Sequence, residues 1–145
     1  MSPFGKKSTE EMVSARAIVL SPIWPTTGLQ SVSLAIQLDD GRTVFASPTL
    51  GISAYFGVIH AGGWVPIKLL PDKPDSAEID AELVPETDDV VAVISEALGG
   101  PAVQPVAPNE WRVNLGLQFA ERIISGGALS AAQAEAIRSR IRAGF

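Results

Sequence analysis

The chain of 145 residues lacks cysteine and has a single histidine, His60. Without thiols it can form neither a disulfide nor a cysteine-ligated zinc site, and it has no cysteine nucleophile. His60 follows Ser53 in an apolar, glycine-rich run, where a lone histidine is more often packed than catalytic, and no nucleophile-elbow motif accompanies it. We therefore predict no catalytic residue, no metal ligand and no cofactor, and we expect that the protein is not an enzyme.

Basic residues are also scarce. Eleven Lys and Arg against sixteen Asp and Glu give a net charge of −5. Proteins that bind nucleic acid use basic surfaces to neutralise phosphates, so we predict no nucleic-acid partner. From Trp111 onward, however, five arginines accompany two glutamates. Three explanations stay open: docking onto an acidic patch of this chain or a neighbour, attraction to anionic lipid, and ordinary charge balance at helix ends.

No long apolar run is free of helix breakers. Residues 17–38 and 43–67 carry no charge, but prolines and glycines interrupt both. A membrane-spanning helix must satisfy its own backbone, so we expect buried strands in these stretches rather than spans. Because the lack of cysteine suits a reducing compartment, we expect a cytoplasmic location, with peripheral membrane contact left open.

The first 85 residues are typical of strands joined by turns. Apolar residues alternate with small or polar ones over 31–38, and an Asp-Gly pair at Asp40 and Gly41 then predicts a hairpin. Further strands are predicted at 13–20, 43–47, 64–70 and 77–84, the last with Glu78, Asp80 and Glu82 on a solvated face. Residues 48–63 are expected to form a buried crossover with one helical turn.

After Pro85 the apolar spacing becomes helical, with Val90 and Ile94 on one face. A Pro- and Gly-rich stretch precedes a second helical pattern, in which Ser130 and Gln133 have capping-box spacing. The sequence thus predicts an α+β fold: a small antiparallel β-barrel or open sheet of about five strands, then a helix and a C-terminal α-hairpin. The predicted layout is a flexible arm at 1–11, a β-domain at 12–85, a helix at 86–99, a linker at 100–110 and the hairpin at 111–145.

Two parts of the chain resemble known families. The motifs GWVPI at 63–67 and PDKP at 71–74 resemble a small β-domain found in actinobacterial proteins of unassigned function. The turn GALS at 127–130 resembles that of SHOCT, a short C-terminal domain made of a helical hairpin. The second resemblance implies association, through oligomerisation or docking.

Physical arithmetic also favours association. A helical pair of some 30 residues is too small to cover its own apolar stripe. We therefore predict an interaction or scaffold protein that binds itself or a protein partner. The alternatives are a module that binds a small apolar ligand in a cavity lined by residues 48–63, and a peripheral membrane-associated subunit. The residues predicted to bind the partner are Leu117, Ala120, Ile123, Ile124, Leu129, Ile137, Ile141 and Phe145.

Overall fold

A computed structural model describes residues 11–145 and divides them into two compact units. One unit holds the described residues up to Gly51 together with Ala61–Asp80, and the other holds Ile52–His60 together with Ala81–Phe145. Strands form the first unit and helices the second, so the predicted α+β class is confirmed. Residues 1–10 of the predicted arm lie outside the described part.

The strand unit is a curled antiparallel sheet of five strands, shaped as half a barrel. The unit has seven strands among the described residues: β1 (Val13–Val19), β2 (Leu29–Ser31), β3 (Leu34–Gln37), β4 (Thr43–Ala46), β5 (Thr49–Gly51), β6 (Trp64–Leu70) and β7 (Lys73–Ile79). The five strands of the large sheet lie in the order β4-β3-β1-β6-β7, and β2 pairs with β5 in a small second sheet.

The inner face of this sheet forms its core. Because successive side chains of a strand point to opposite faces, every second residue is buried along β3 and β6 and in the second half of β1. The predicted strand at 31–38 buries its apolar face as expected, but it is broken between β2 and β3. At the break Val32 N donates to Pro48 O (3.0 Å) and Leu20 N donates to Ser33 O (2.8 Å), so the chain moves from one sheet to the other.

The predicted hairpin between β3 and β4 is confirmed. Gly41 has a φ of +88°, which its lack of a Cβ permits. Its N–H donates to Leu38 O (3.0 Å), and Leu38 N donates to Arg42 O (2.9 Å). This pattern is a tight turn closed by a glycine bulge, and it sets the register in which Ala35 faces Phe45.

The last strand was predicted four residues too late. β7 begins at Lys73, directly after a two-residue turn, and ends at Ile79. Pro74 disfavours a central strand because proline has no N–H to donate. It is tolerated here because β7 lies at the sheet edge. Asp80 therefore does not share a solvated face with Glu78: it is buried, 3.8 Å from Lys68 Nζ, and its N–H donates to Pro66 O.

The described part of the helical unit contains three α-helices, α1 (Thr87–Ala97), α2 (Glu110–Ile124) and α3 (Ala131–Arg142), and one turn of 3₁₀ helix at Ser53–Tyr55. The helix, the hairpin and the single turn in the crossover all occur as predicted. α2 and α3 form the hairpin, and α1 packs chiefly against α3. The hairpin is therefore part of a three-helix bundle.

The helix ends follow local chemistry with one exception. The capping box at α3 is confirmed: Ser130 Oγ accepts from Gln133 N (3.1 Å), and Gln133 Oε1 accepts from Ser130 N (2.9 Å). Asn109 caps α2 by accepting from Trp111 N (3.0 Å). The exception is α1, which begins without a side-chain cap: the hydroxyl of Thr87 donates to Phe56 O (2.7 Å).

The predicted linker has no regular structure but is tied to α3. The carboxylate of Glu96 accepts from Val103 N and from Arg140 Nε, and Arg140 also donates to Gly144 O. Gly144 packs directly against Val106 O, where a Cβ would have no room. These contacts hold the segment before α2 against the end of α3.

Gly116 in the middle of α2 allows the ring of Phe145 to pack closely against this helix. A Cβ at this position would lie 2.7 Å from Cζ of Phe145 and 3.3 Å from Cγ2 of Ile141. The sequence suggests that this glycine weakens the helix, whereas in the fold its bare backbone makes room for a phenylalanine ring. The conformational cost of glycine is therefore offset by packing.

We expect Gly116→Ala to lower the free energy of unfolding by about 1 kcal/mol, because overpacking outweighs the gain in helix propensity. The matched control is Asn114→Ala on the exposed face of the same helix. It gains helix propensity without a steric clash and should raise the free energy of unfolding by about 0.5 kcal/mol. Chemical denaturation measures both. A Gly116→Ala variant as stable as the parent would contradict the packing.

The Glu96–Arg140 contact predicts a loss of stability in acid. Hydrogen bonds from Arg140 and Val103 hold the pKa of Glu96 below its ordinary value of 4.5. Its stabilising contribution is therefore complete above that value and is lost as the pH falls through the lowered pKa. We expect Glu96→Gln to be less stable at neutral pH and to vary less with pH in acid, as urea denaturation across a pH series would show. Glu82→Gln, at an exposed site, should follow the parent, and a Glu96→Gln curve parallel to the parent would be inconsistent with this contact.

Candidate partner-binding surface

The residues predicted to bind a partner fall into two groups. Ala120, Ile137, Ile141 and Phe145 are at most 5% exposed, because α1 and the two hairpin helices pack together. These side chains cannot touch a partner while the bundle stays closed. The apolar surface of these four residues, which was predicted to need a partner, is therefore covered by helices of the same chain.

The other four residues retain exposure. Ile123 is 38% exposed, and Leu117, Ile124 and Leu129 are half-buried. Ile123, Ile124 and Leu129 flank the turn between α2 and α3, and we call these three residues the hairpin end. It is the only part of the predicted set in which accessible apolar side chains adjoin one another along the chain.

The sequence misjudged which way α2 faces. Leu115 and Gly116 are fully buried, although neither belongs to the predicted stripe. The stripe was drawn for a pair of helices facing each other, whereas α2 also contacts α1 and Phe145. A third partner widens and rotates the buried face of a helix.

The segment Ile52–His60 packs against the C-terminal part of α2. Gly57 has a φ of +96°, and a Cβ there would lie 2.8 Å from Cε1 of Phe119. The guanidinium of Arg122 lies 5.9 Å from the centre of the same ring, within the range of a cation–π contact. The segment and α2 therefore meet at an aromatic ring with a cation beside it.

His60 is the last residue of this segment and is half-buried. Burial, and next the charge of Arg122, lower the pKa of His60 below its ordinary value of 6.5. Its Nδ1 lies 3.4 Å from Val58 O. Within residues 11–145 no hydrogen bond joins it to Ser53 or to a carboxylate, so the geometry of a catalytic triad is not present there.

Most arginines of the helical unit are engaged by groups of the same unit. Arg138 forms a bidentate pair with Glu121 (2.7 and 2.9 Å), and Arg140 pairs with Glu96. Arg142 lies 3.7 Å from Glu135. Arg112 donates to the backbone oxygens of Val84 and Phe145 and lies 4.0 Å from Asp89. The basic C-terminal segment thus finds much of its counter-charge inside the unit.

Arg122 differs from these arginines. In the described part of the chain no carboxylate lies within salt-bridge distance of it, and its one recorded partner is the ring of Phe119. Arg122 and Ile123 are both exposed and adjacent. The sequence analysis did not single out this pairing of a cation with an apolar side chain.

The strand unit also presents apolar side chains. Phe45, 73% exposed, begins a cross-strand row on the outer sheet face that continues through Ala35 and Ile18 to Trp64. Arg16 covers Trp64 at 4.7 Å from the ring centre. Only register places these residues side by side, so spacing along the chain gave no signal of the row.

A shallow cavity of about 210 Å³ lies at one end of the strand unit. Its volume is below the roughly 300–1,000 Å³ of typical ligand sites. None of residues 48–63, the expected lining, borders it. The lining residues are Val13, Ser14, Leu38, Asp39, Asp40, Arg42 and Pro71.

Metal-ion sites and membrane-spanning helices can be assessed for the described residues. No group of three or more His, Asp or Glu side chains in residues 11–145 is arranged to hold a metal ion. Nor does any helix in this part of the chain have the length and apolar character needed to cross a membrane.

Comparisons with protein-family models, with curated proteins and with solved structures found no match. The resemblances to the actinobacterial β-domain and to SHOCT therefore stay predictions. Function is therefore inferred from the geometry described above.

The influence of Arg122 on His60 can be measured directly, because the chain has no other histidine. We expect Arg122→Gln to raise the pKa of His60, since removing a nearby positive charge favours the protonated ring. Proton NMR of the imidazole through a pH titration gives the value. Arg142→Gln, which removes an arginine paired with Glu135, is the matched control. An unchanged His60 pKa in the Arg122 variant would show that the two groups are not coupled.

Proposed function

We propose that the protein is a non-catalytic interaction protein that oligomerises or docks onto a partner through its hairpin end. The observation that carries this proposal is the exposure of Ile123 beside the half-buried Ile124 and Leu129 in the chain, whereas Ala120, Ile137, Ile141 and Phe145 of the same hairpin are buried. Accessible apolar residues grouped on one surface are typical of binding sites.

The contacts that hold the hairpin end in place favour binding without a change in its conformation. The capping box at Ser130 begins α3, and the bidentate Arg138–Glu121 pair joins α3 to α2. A surface held in place before binding loses less conformational entropy when a partner arrives. Three apolar side chains form a small contact, however, so we expect a transient interaction rather than an obligate one.

Point variants test this proposal better than truncation. Removing residues 109–145 would uncover Val90, Val93 and Ile94 on α1, which are buried in the bundle. The shortened chain would then associate through a surface that the intact protein does not present. A test on the full chain avoids this artefact.

A photo-crosslinking amino acid at position 123 should give a discrete crosslinked species in the producing cells, because that side chain lies at the proposed contact. The same group at position 91 should give none: Val91 is 44% exposed, on α1. Adding Leu129→Asp to the position-123 protein should abolish the species, because a charge cannot be buried in an apolar contact without a large cost. If position 123 gives no crosslink and light scattering shows a monomer at every concentration, the proposal is wrong.

A second candidate is binding of a small apolar ligand, favoured by the cavity beside Val13, Leu38 and Pro71. Native mass spectrometry of protein purified under mild conditions would show a bound molecule. We expect Leu38→Asp to remove it, since a carboxylate would disfavour an apolar guest. A parent protein whose mass equals that of the bare chain would eliminate this candidate.

For location, we propose the cytoplasm. The absence of cysteine suits a reducing compartment. Peripheral membrane contact is less favoured, because the arginines that would face anionic lipid are largely paired with carboxylates of the same unit.

A further inference from the structure

We propose that the C-terminal part of α2 binds an acidic, partly apolar segment of a partner protein, with Arg122 holding a carboxylate and Ile123 contacting an apolar side chain. This inference rests on the proposed function and names the chemistry of its partner. We call Phe119, Arg122 and Ile123 the α2 patch.

The state of Arg122 supports a carboxylate as the ligand. Arg138, Arg140 and Arg142 each have a carboxylate within 4.0 Å, whereas Arg122 has none in the described residues. Its contact with the ring of Phe119, at 5.9 Å from the ring centre, is a cation–π contact and not a hydrogen bond, so it leaves the N–H groups of the guanidinium as donors. A guanidinium fork with unused donors is matched by a carboxylate, which accepts two parallel hydrogen bonds.

The surroundings of Arg122 strengthen its positive potential. Glu121, its neighbour in sequence, is already engaged by the bidentate contact with Arg138. The charge of Arg122 reaches His60, since it lowers the pKa of that imidazole. Among the described residues no carboxylate pairs with Arg122, so its positive charge attracts an incoming negative charge.

The apolar neighbours indicate that the partner is a protein segment. Phe119 and Ile123 lie one turn apart on the same side of α2, and Arg122 lies between them in sequence. A carboxylate beside apolar side chains fits this arrangement. Phosphate-bearing partners and anionic membranes are usually met by clusters of basic residues, whereas the α2 patch has one arginine on a chain with a net charge of −5.

Phage-displayed random 12-residue peptides selected on the full-length protein test this inference. We expect recovered peptides to be enriched in Asp and Glu together with Leu, Ile or Phe. Arg122→Gln should weaken their binding about 3- to 10-fold, the range for a charge-assisted contact at a partly exposed site. Arg142→Gln is the matched control and should bind like the parent. Thermal unfolding should be unchanged in both variants, because both arginines are exposed.

A second readout uses the single histidine. A bound acidic peptide should raise the pKa of His60, because its carboxylate offsets the charge of Arg122. A peptide of the same sequence with Gln and Asn in place of the acids should leave that pKa unchanged. This effect separates binding at the α2 patch from binding elsewhere.

Several results would overturn the inference. These are a selection that enriches no peptide, peptides without acids, affinities that Arg122→Gln leaves unchanged, or Arg122-dependent binding to phosphatidylserine vesicles in place of peptides. The two proposals can fail separately. A crosslink from position 123 whose yield is the same in an Arg122→Gln background would retain the interaction function and reject the acidic partner. The absence of any crosslink from position 123 in the parent background would reject the interaction function itself.

Discussion

The helical unit depends on the contact between Phe145 and Gly116. The ring occupies the space that any side chain on residue 116 would fill, and Arg112 lies over the ring at 5.1 Å. Through Phe145 and Gly144 the end of the chain is joined to α2 and to the segment before it, while Ile141 and Ile137 of α3 close the interior. Remove this contact and α2 loses the partner that turns Leu115 and Gly116 inward.

Closure of the bundle decides where binding can occur. A buried apolar stripe stabilises the fold but is closed to other molecules, so its accessible side chains lie at its margin, three of them at the hairpin end. Charge is arranged in the same way, because paired arginines brace the bundle while Arg122 keeps its donors. The apolar margin and the adjacent guanidinium of Arg122 together provide contact area and selectivity for a negatively charged partner.

The strand unit shows how far local rules extend. Alternation along β3 and β6 predicts the buried face, and the Asp-Gly pair predicts the hairpin, because both depend on neighbours in sequence. The start of β7 and the burial of Asp80 depend instead on position in the sheet. An edge strand tolerates Pro74, and Lys68 on the adjacent strand lies beside Asp80. The outer row from Phe45 to Trp64 likewise exists only through pairing register.

Sequence alone determined the fold class and the helical hairpin with its capping box, since turn, cap and periodicity signals act within a few residues. It also placed an apolar surface near Ile123. Tertiary structure decided which half of that surface stays accessible and which arginine has no carboxylate nearby among the described residues. Both outcomes depend on contacts between residues far apart in the chain, Phe145 with Gly116 and Arg140 with Glu96, and no local pattern encodes which distant groups will meet.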